Sequence, residues 1–235
     1  MAFLTTTDLN ILAIAFLGGI IPSLLWLWFW LKEDEEHPEP KTLLTIVFIM
    51  GMLAVIVVLP IEKYIQDNVG SYEGRLVLWA SAEEILKYLA VLIILYKTNN
   101  ADDPIDWPIY LITAALGFAA LENMLFLLKI LPQTIGTTVS LSTGNLRFLG
   151  ANLLHAISSA IIGISIGISF YMQVWKRNIS LIIGFFVAIA LHSTFNFFII
   201  RNNGSDFLKV LAFLWVVTII IMLLFEKIRR MSENY

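Results

Sequence analysis

Residues 76–96 read LVLWASAEEILKYLAVLIILY. As a helix this stretch is about 31 Å long, the thickness of a bilayer's hydrocarbon core. Apart from Ser81, only Glu83, Glu84 and Lys87 interrupt its apolar run. An ionisable group at that depth costs on the order of 3 kcal/mol when unpaired, so a crossing that carries three of them holds them for a purpose.

Six other apolar runs match this one in length: roughly 9–31, 42–61, 108–131, 146–172, 179–200 and 207–225. The breaks between runs are short and rich in turn formers, as in NNADDP at 99–104 and RNNGSD at 201–206. The whole chain agrees with them. Its 235 residues are 59% hydrophobic and 14% charged, where a soluble domain carries about 25% charged residues. The predicted fold is all-α, a polytopic membrane helix bundle with seven predicted transmembrane helices. It forms a single integral membrane domain over 1–235, with a motif-bearing core at about 76–200.

Composition excludes several functions. A net charge of -3 offers no basic footprint, so no nucleic-acid partner is expected. With no cysteine there is no disulfide, thiolate nucleophile or zinc–sulfur site. The first run is too long, and its leading region too poor in basic residues, for a cleaved signal peptide; it is read as the first membrane helix. Eight basic residues fall on the side of Lys32, Lys97 and Arg229, against six on the side of Lys63, Arg75 and Lys129. This excess predicts a cytoplasmic C-terminus and an outside N-terminus.

The polar residues inside the runs form a pattern. Glu83 lies about eight residues past Arg75, Glu122 nine before Leu131, His155 eight past Arg147 and His192 nine before Arg201. At 1.5 Å per residue all four sit roughly 12–14 Å from one membrane face. Glu83 and Lys87 share a helix face at i,i+4, while Glu84 points about 100° away. In GFAALENMLF at 117–126, Phe118, Glu122 and Phe126 line one side, with Asn123 beside the carboxylate. His155, Ser159, Gly163 and Gly167 recur every four residues, as do Gly184, Ala188, His192 and Asn196. Such small-residue stripes let membrane helices approach closely.

Each element has a plain structural reading: a self-neutralising Glu83–Lys87 pair, a protonated Glu122, a satisfied core histidine. A shared layer drawn from four helices argues instead for a site. Ser159 and His155 lie on one helix, an unfavourable start for a serine nucleophile. Water activation fits better: Glu83 takes a proton from water, and a histidine with Asn196 stabilises the oxyanion. Alternatively Glu83, Glu122, His155 and His192 are candidate ligands for Zn²⁺, although the compact HExxH spacing is absent. A proton- or ion-coupled transporter with a buried Glu/His relay is the competing function, weakened by the lack of an evident repeat of broken segments. A scaffold that binds membrane helices along the small-residue stripes would not need this polar layer.

Four motifs carry a family resemblance: EExxK at Glu83–Lys87, FxxxEN at Phe118–Asn123, a lone membrane histidine followed by small residues at His155, and HxxxN from His192 to Asn196. In this order, on consecutive helices, they resemble the PrsW family of bacterial intramembrane proteases. That family lies within a wider group that includes CAAX prenyl endopeptidases and bacteriocin-immunity-type membrane proteases. The resemblance implies hydrolysis of a peptide bond in a single-pass membrane protein, such as a membrane-anchored anti-sigma factor, as a first cleavage near the outer face of a bacterial cytoplasmic membrane. It implies Glu83 as principal base, Glu84 as a supporting carboxylate, His155 and His192 in water activation and oxyanion stabilisation, and Asn196 as a second oxyanion donor. The wider group has His where this chain has Glu122 and EExxxR where it has EExxK, which separates the chain from CAAX processing.

Elsewhere the expectations are structural. The acidic loop at 33–39 with His37 reads as a solvated turn. Trp26, Trp28 and Trp30 read as interfacial anchors, Pro22 as a kink, and Lys227, Arg229 and Arg230 as topology-setting cations that meet anionic headgroups.

Overall fold

The computed structural model describes residues 8–32, 38–98, 100–134, 140–201 and 207–232; His37 and most of the acidic loop lie outside them. The described residues form seven helices and no strand: α1 (Leu9–Leu31), α2 (Lys41–Asn68), α3 (Tyr72–Thr98), α4 (Asp106–Thr134), α5 (Ser140–Ile168), α6 (Val174–Arg201) and α7 (Phe207–Ser232). Six of them are long and apolar enough to cross a membrane, and the chain is a multi-pass membrane protein. The exception, α3, has the length but carries Glu83, Glu84 and Lys87 at its middle, all three buried. Its charges face protein, which is how a bilayer tolerates them.

At the centre stands α4, which packs against α1, α2, α3 and α5. Every residue from 108 to 120 is buried, as a helix apolar on all sides must be when neighbours surround it. The closest approach is to α2, where a Cβ on Gly51 would strike the Ala114 carbonyl and one on Gly117 the Phe48 carbonyl. The small-residue stripes also work as contacts, though with different partners. Gly163 of α5 lies against the backbone of Pro108 at the start of α4, and Gly184 of α6 lies against Ser165 of α5. Backbones brought this close set the positions of His155, eight residues before Gly163, and His192, eight residues after Gly184.

Helices α1 and α7 flank this core. The Asp8 side chain caps α1 by accepting the Asn10 N–H at 2.9 Å, and Ser23 donates to Asn152 of α5 at 2.7 Å. The aromatic anchors divide. Trp28 is exposed, with the Lys32 ammonium 4.1 Å from its ring centre. Trp30 is instead fully buried, its ring 5.4 Å from that of Phe225 on α7. It is a core residue because α7 covers that face of α1. Arg229 and Arg230 both pair with Glu226. Outward faces bearing Leu25, Ile182, Phe186 and Leu223 are left exposed for lipid.

Candidate active site

The polar layer is assembled from α3, α4, α5 and α6, with α2 alongside. Glu84 is fully buried and fully satisfied. Its Oε1 accepts from the Lys87 ammonium at 2.8 Å and from His192 Nδ1 at 2.8 Å. Its Oε2 accepts from the Ser159 hydroxyl at 2.8 Å. A carboxylate only accepts, so His192 carries its proton on Nδ1 and leaves Nε2 as a lone pair. Ser159 spends its proton on Glu84 and not on an imidazole, which removes it from nucleophile geometry.

His155 is arranged in the mirror sense. Lys87 Nζ lies 2.8 Å from His155 Nδ1. An ammonium only donates, so Nδ1 accepts and the ring proton sits on Nε2. That nitrogen donates to Glu122 Oε2 at 2.8 Å. Phe118 forms the seat of the pair, 4.6 Å from Lys87 Nζ and 5.5 Å from the His155 ring. The two imidazoles stand edge to face, 5.1 Å apart.

Both inward nitrogens face one atom. Glu83 Oε2 lies 3.6 Å from His192 Nε2, 3.8 Å from His155 Nδ1 and 3.7 Å from Lys87 Nζ. It is buried and has no hydrogen-bond partner. A buried carboxylate oxygen that faces the His192 Nε2 lone pair, with His155 Nδ1 and the Lys87 ammonium beside it, is a place suited to a cation. The three ligand atoms lie within 4.8 Å of one another. Tetrahedral zinc with bonds of about 2.0–2.1 Å places neighbouring ligands about 3.3 Å apart, so the three would draw inward and Lys87 Nζ, 2.8 Å from His155 Nδ1, would yield that nitrogen. The donor set of one carboxylate and two imidazoles therefore fits a divalent metal such as Zn²⁺. Each histidine also has the carboxylate on its far nitrogen that orients metal-binding imidazoles, Glu84 for His192 and Glu122 for His155.

Of the four candidate ligands read from the sequence, three converge: Glu83, His155 and His192. Glu122 does not join the converging trio; it stands behind His155, its side chain 45% exposed, at the mouth of the layer. Asn123 is buried with an unpartnered Nδ2. Asn196, one turn beyond His192, is half-buried, and among the described residues no hydrogen bond ties it to the histidines or the carboxylates.

One residue escaped the sequence reading. Glu62, half-buried on α2, directs its carboxyl to that of Glu83. Its backbone is pinned by the Trp79 indole, which donates to the Glu62 carbonyl at 3.1 Å. The signal was available: Val55, Val58, Glu62 and Ile65 follow the i+3/i+4 spacing of the inward face of α2. Glu62 falls just past an apolar run that ends at 61, where a carboxylate reads as interfacial. The layer thus gathers Glu62, Glu83, Glu84 and Glu122 around a lone ammonium, Lys87, an imbalance that a divalent cation would reduce.

No solved structure matches the chain. Among curated proteins, Protease PrsW of Oceanobacillus iheyensis is 27% identical over 221 residues, covering 92% of this chain and 95% of that protein. Protease PrsW of Geobacillus kaustophilus is 27% identical over 203 residues, covering 84% and 86%. Protease PrsW of Bacillus subtilis is 27% identical over 202 residues, covering 84% and 88%. Residues 39–225, spanning α2 through most of α7, match the family described as PrsW family intramembrane metalloprotease. The chain belongs to the PrsW family of intramembrane metalloproteases.

Proposed function

We propose that this protein cleaves a single-pass, anti-sigma-factor-like substrate at a peptide bond near the outer membrane face, as a first proteolytic step, with Glu83, His155 and His192 holding a catalytic Zn²⁺. Family membership supplies the coarser statement, a protease acting on a membrane protein in a bilayer, and decides against the transporter alternative. The observation that carries the finer reading is the convergence of two carboxylate-backed imidazoles on the unpartnered Glu83 Oε2.

When bound, the metal would polarise the scissile carbonyl and lower the pKa of a coordinated water. The protein's own groups prepare the rest. Glu84 fixes His192 with Nε2 unprotonated, and Glu122 holds the Nε2 proton of His155 so that Nδ1 faces inward. Lys87 keeps Glu84 charged and offsets part of the layer's negative charge. Asn196 and Asn123 offer amide donors beside the layer for a developing oxyanion. The chain works as one membrane unit in a bacterial cytoplasmic membrane, with an outside N-terminus and cytoplasmic C-terminus. In that orientation the layer lies roughly 12–14 Å beneath the outer face.

A second reading has one distance in its favour. Lys87 Nζ already occupies the inward nitrogen of His155 at 2.8 Å. With the ammonium as resident cation, Glu83 Oε2 itself serves as base toward water, and the enzyme is a glutamate peptidase.

The test is co-expression with single-pass substrates. Glu83→Gln, His155→Ala and His192→Ala proteins are expected to insert at wild-type levels and leave the substrate intact. Undiminished cleavage by Glu83→Gln would remove both readings together.

A further inference from the structure

Two polar groups stand unsatisfied at the N-terminal end of α3. Tyr72 opens the helix, and Arg75 follows at i+3 on the same face. The Tyr72 hydroxyl and Arg75 Nε are both buried, and neither has a hydrogen-bond partner. Among the described residues Arg75 enters no ion pair, and Glu73 beside it is exposed. The Tyr72 ring packs 6.4 Å from that of Phe197 on α6. This face of α3 is therefore turned toward α6, the helix whose His192 meets Glu84 deeper in the bundle at 2.8 Å. An unsatisfied buried donor is costly, more so when charged, so two on one face are suited to a shared acceptor.

We infer that Arg75 and Tyr72 form a carboxylate-binding subsite that receives an acidic residue of the substrate on one side of the scissile bond. The inference rests on the proteolytic reading above and adds a substrate feature to it. A guanidinium presents paired donors matched to a carboxylate, and the phenol adds another. Arg75 precedes Glu83 by eight residues, about 12 Å along α3, a distance covered by about four residues of extended chain. Position also sets register. The layer of Glu62, Glu83, Glu84 and Glu122 repels a substrate carboxylate, so the acid stops at Arg75 while the bond about four residues away reaches Glu83. A lipid phosphate shares this oxygen chemistry, but the burial of Nε and the packing of Tyr72 on α6 favour a ligand entering between helices.

The experiment uses the full chain in nanodiscs with single-pass substrates carrying Asp, Asn or Lys at each position flanking the cleaved bond. Wild type is expected to prefer Asp at a position about four residues from the bond, with Asn there raising KM about tenfold or more. Arg75→Gln should raise KM for the Asp substrate to the same extent, leave kcat unchanged, and leave the Asn substrate unaffected. Tyr72→Phe should give a smaller shift, Arg75→Lys partial rescue, and Arg75→Glu a preference for the Lys substrate. Substrate binding to the Glu83→Gln protein, measured without turnover, should show the same acid preference. If binding keeps that preference while wild type cleaves nothing, the proteolytic reading falls and the subsite stands. Equal KM for Asp and Asn at every position, or a uniform loss across substrates in Arg75→Gln, overturns the subsite. So does an Arg75→Gln effect that vanishes when phosphatidylglycerol is replaced by phosphatidylcholine, which would assign Arg75 to lipid phosphate.

Discussion

The stretch of α4 from Asp106 to Glu122 has buried carboxyls packed around both of its ends, and they are held differently. At its start, Asp106 is 2% exposed and accepts the Asp103 N–H at 2.7 Å. Its carboxyl also meets Glu39, which takes the buried Tyr110 hydroxyl. These acids are matched with a phenol, a backbone N–H and each other. Sixteen residues on, about 24 Å along the helix, Glu122 joins a cluster that includes two imidazoles and an ammonium. There the hydrogen bonds point every group into place and still leave Glu83 Oε2 without a hydrogen-bond partner. Burial of carboxyls is common to both ends. Two inward imidazole nitrogens and an ammonium around one acceptor that no hydrogen bond satisfies occur at one, and that distinguishes a reaction centre from a structural latch.

Substitutions at the two ends should separate them. The largest effect is expected from Glu83→Gln or His192→Ala, a fall of about a thousandfold or more in cleavage rate at unchanged protein level. Comparable activity in either variant would erase the distinction. Next in size is Lys87→Met, which strands the buried Glu84 carboxylate and should cost about 3–5 kcal/mol, read as a lowered denaturation midpoint in detergent. Adding Glu84→Gln should recover part of that loss; no recovery would mean that the ammonium stabilises something else. Gly117→Leu drives a side chain into the Phe48 carbonyl and should cost about 1–3 kcal/mol in the same measurement. The smallest change is expected at the other end. Tyr110→Phe should cost about 1 kcal/mol and leave the cleavage rate at wild type, and a large loss of cleavage there would show the two ends to be coupled.

Much of this was legible in the chain, because membrane crossings write themselves in composition. The seven apolar runs correspond to seven helices, but hydropathy places several of their ends short of the helix. Helix α2 continues to Asn68 past a run ending at 61, and α5 begins at Ser140 ahead of a run beginning at 146. A helix does not need lipid to keep its hydrogen bonds, so hydropathy marks the membrane and not the helix end. That gap hid Glu62. Trp30 reads as an interfacial anchor yet is a core residue, because tryptophan near a helix end looks alike in sequence whether lipid or α7 covers it. The depth of Glu83, Glu122, His155 and His192 could be counted from one face, yet their pairings could not. Which carboxylate backs which imidazole depends on helix rotation and close approach, set by contacts such as Gly163 against Pro108. The separation of Glu122 from the converging trio is thus visible only in three dimensions.

The central claim is that Glu83, His155 and His192 together hold the metal that hydrolysis requires. The most direct measurement counts zinc on the purified protein while cleavage is followed through chelation and zinc add-back. The account predicts about one ion per chain, lost and restored in step with cleavage, and absent from Glu83→Gln and His192→Ala proteins. A metal-free preparation that cleaves at the full rate would contradict it and leave the Lys87-occupied glutamate site in its place.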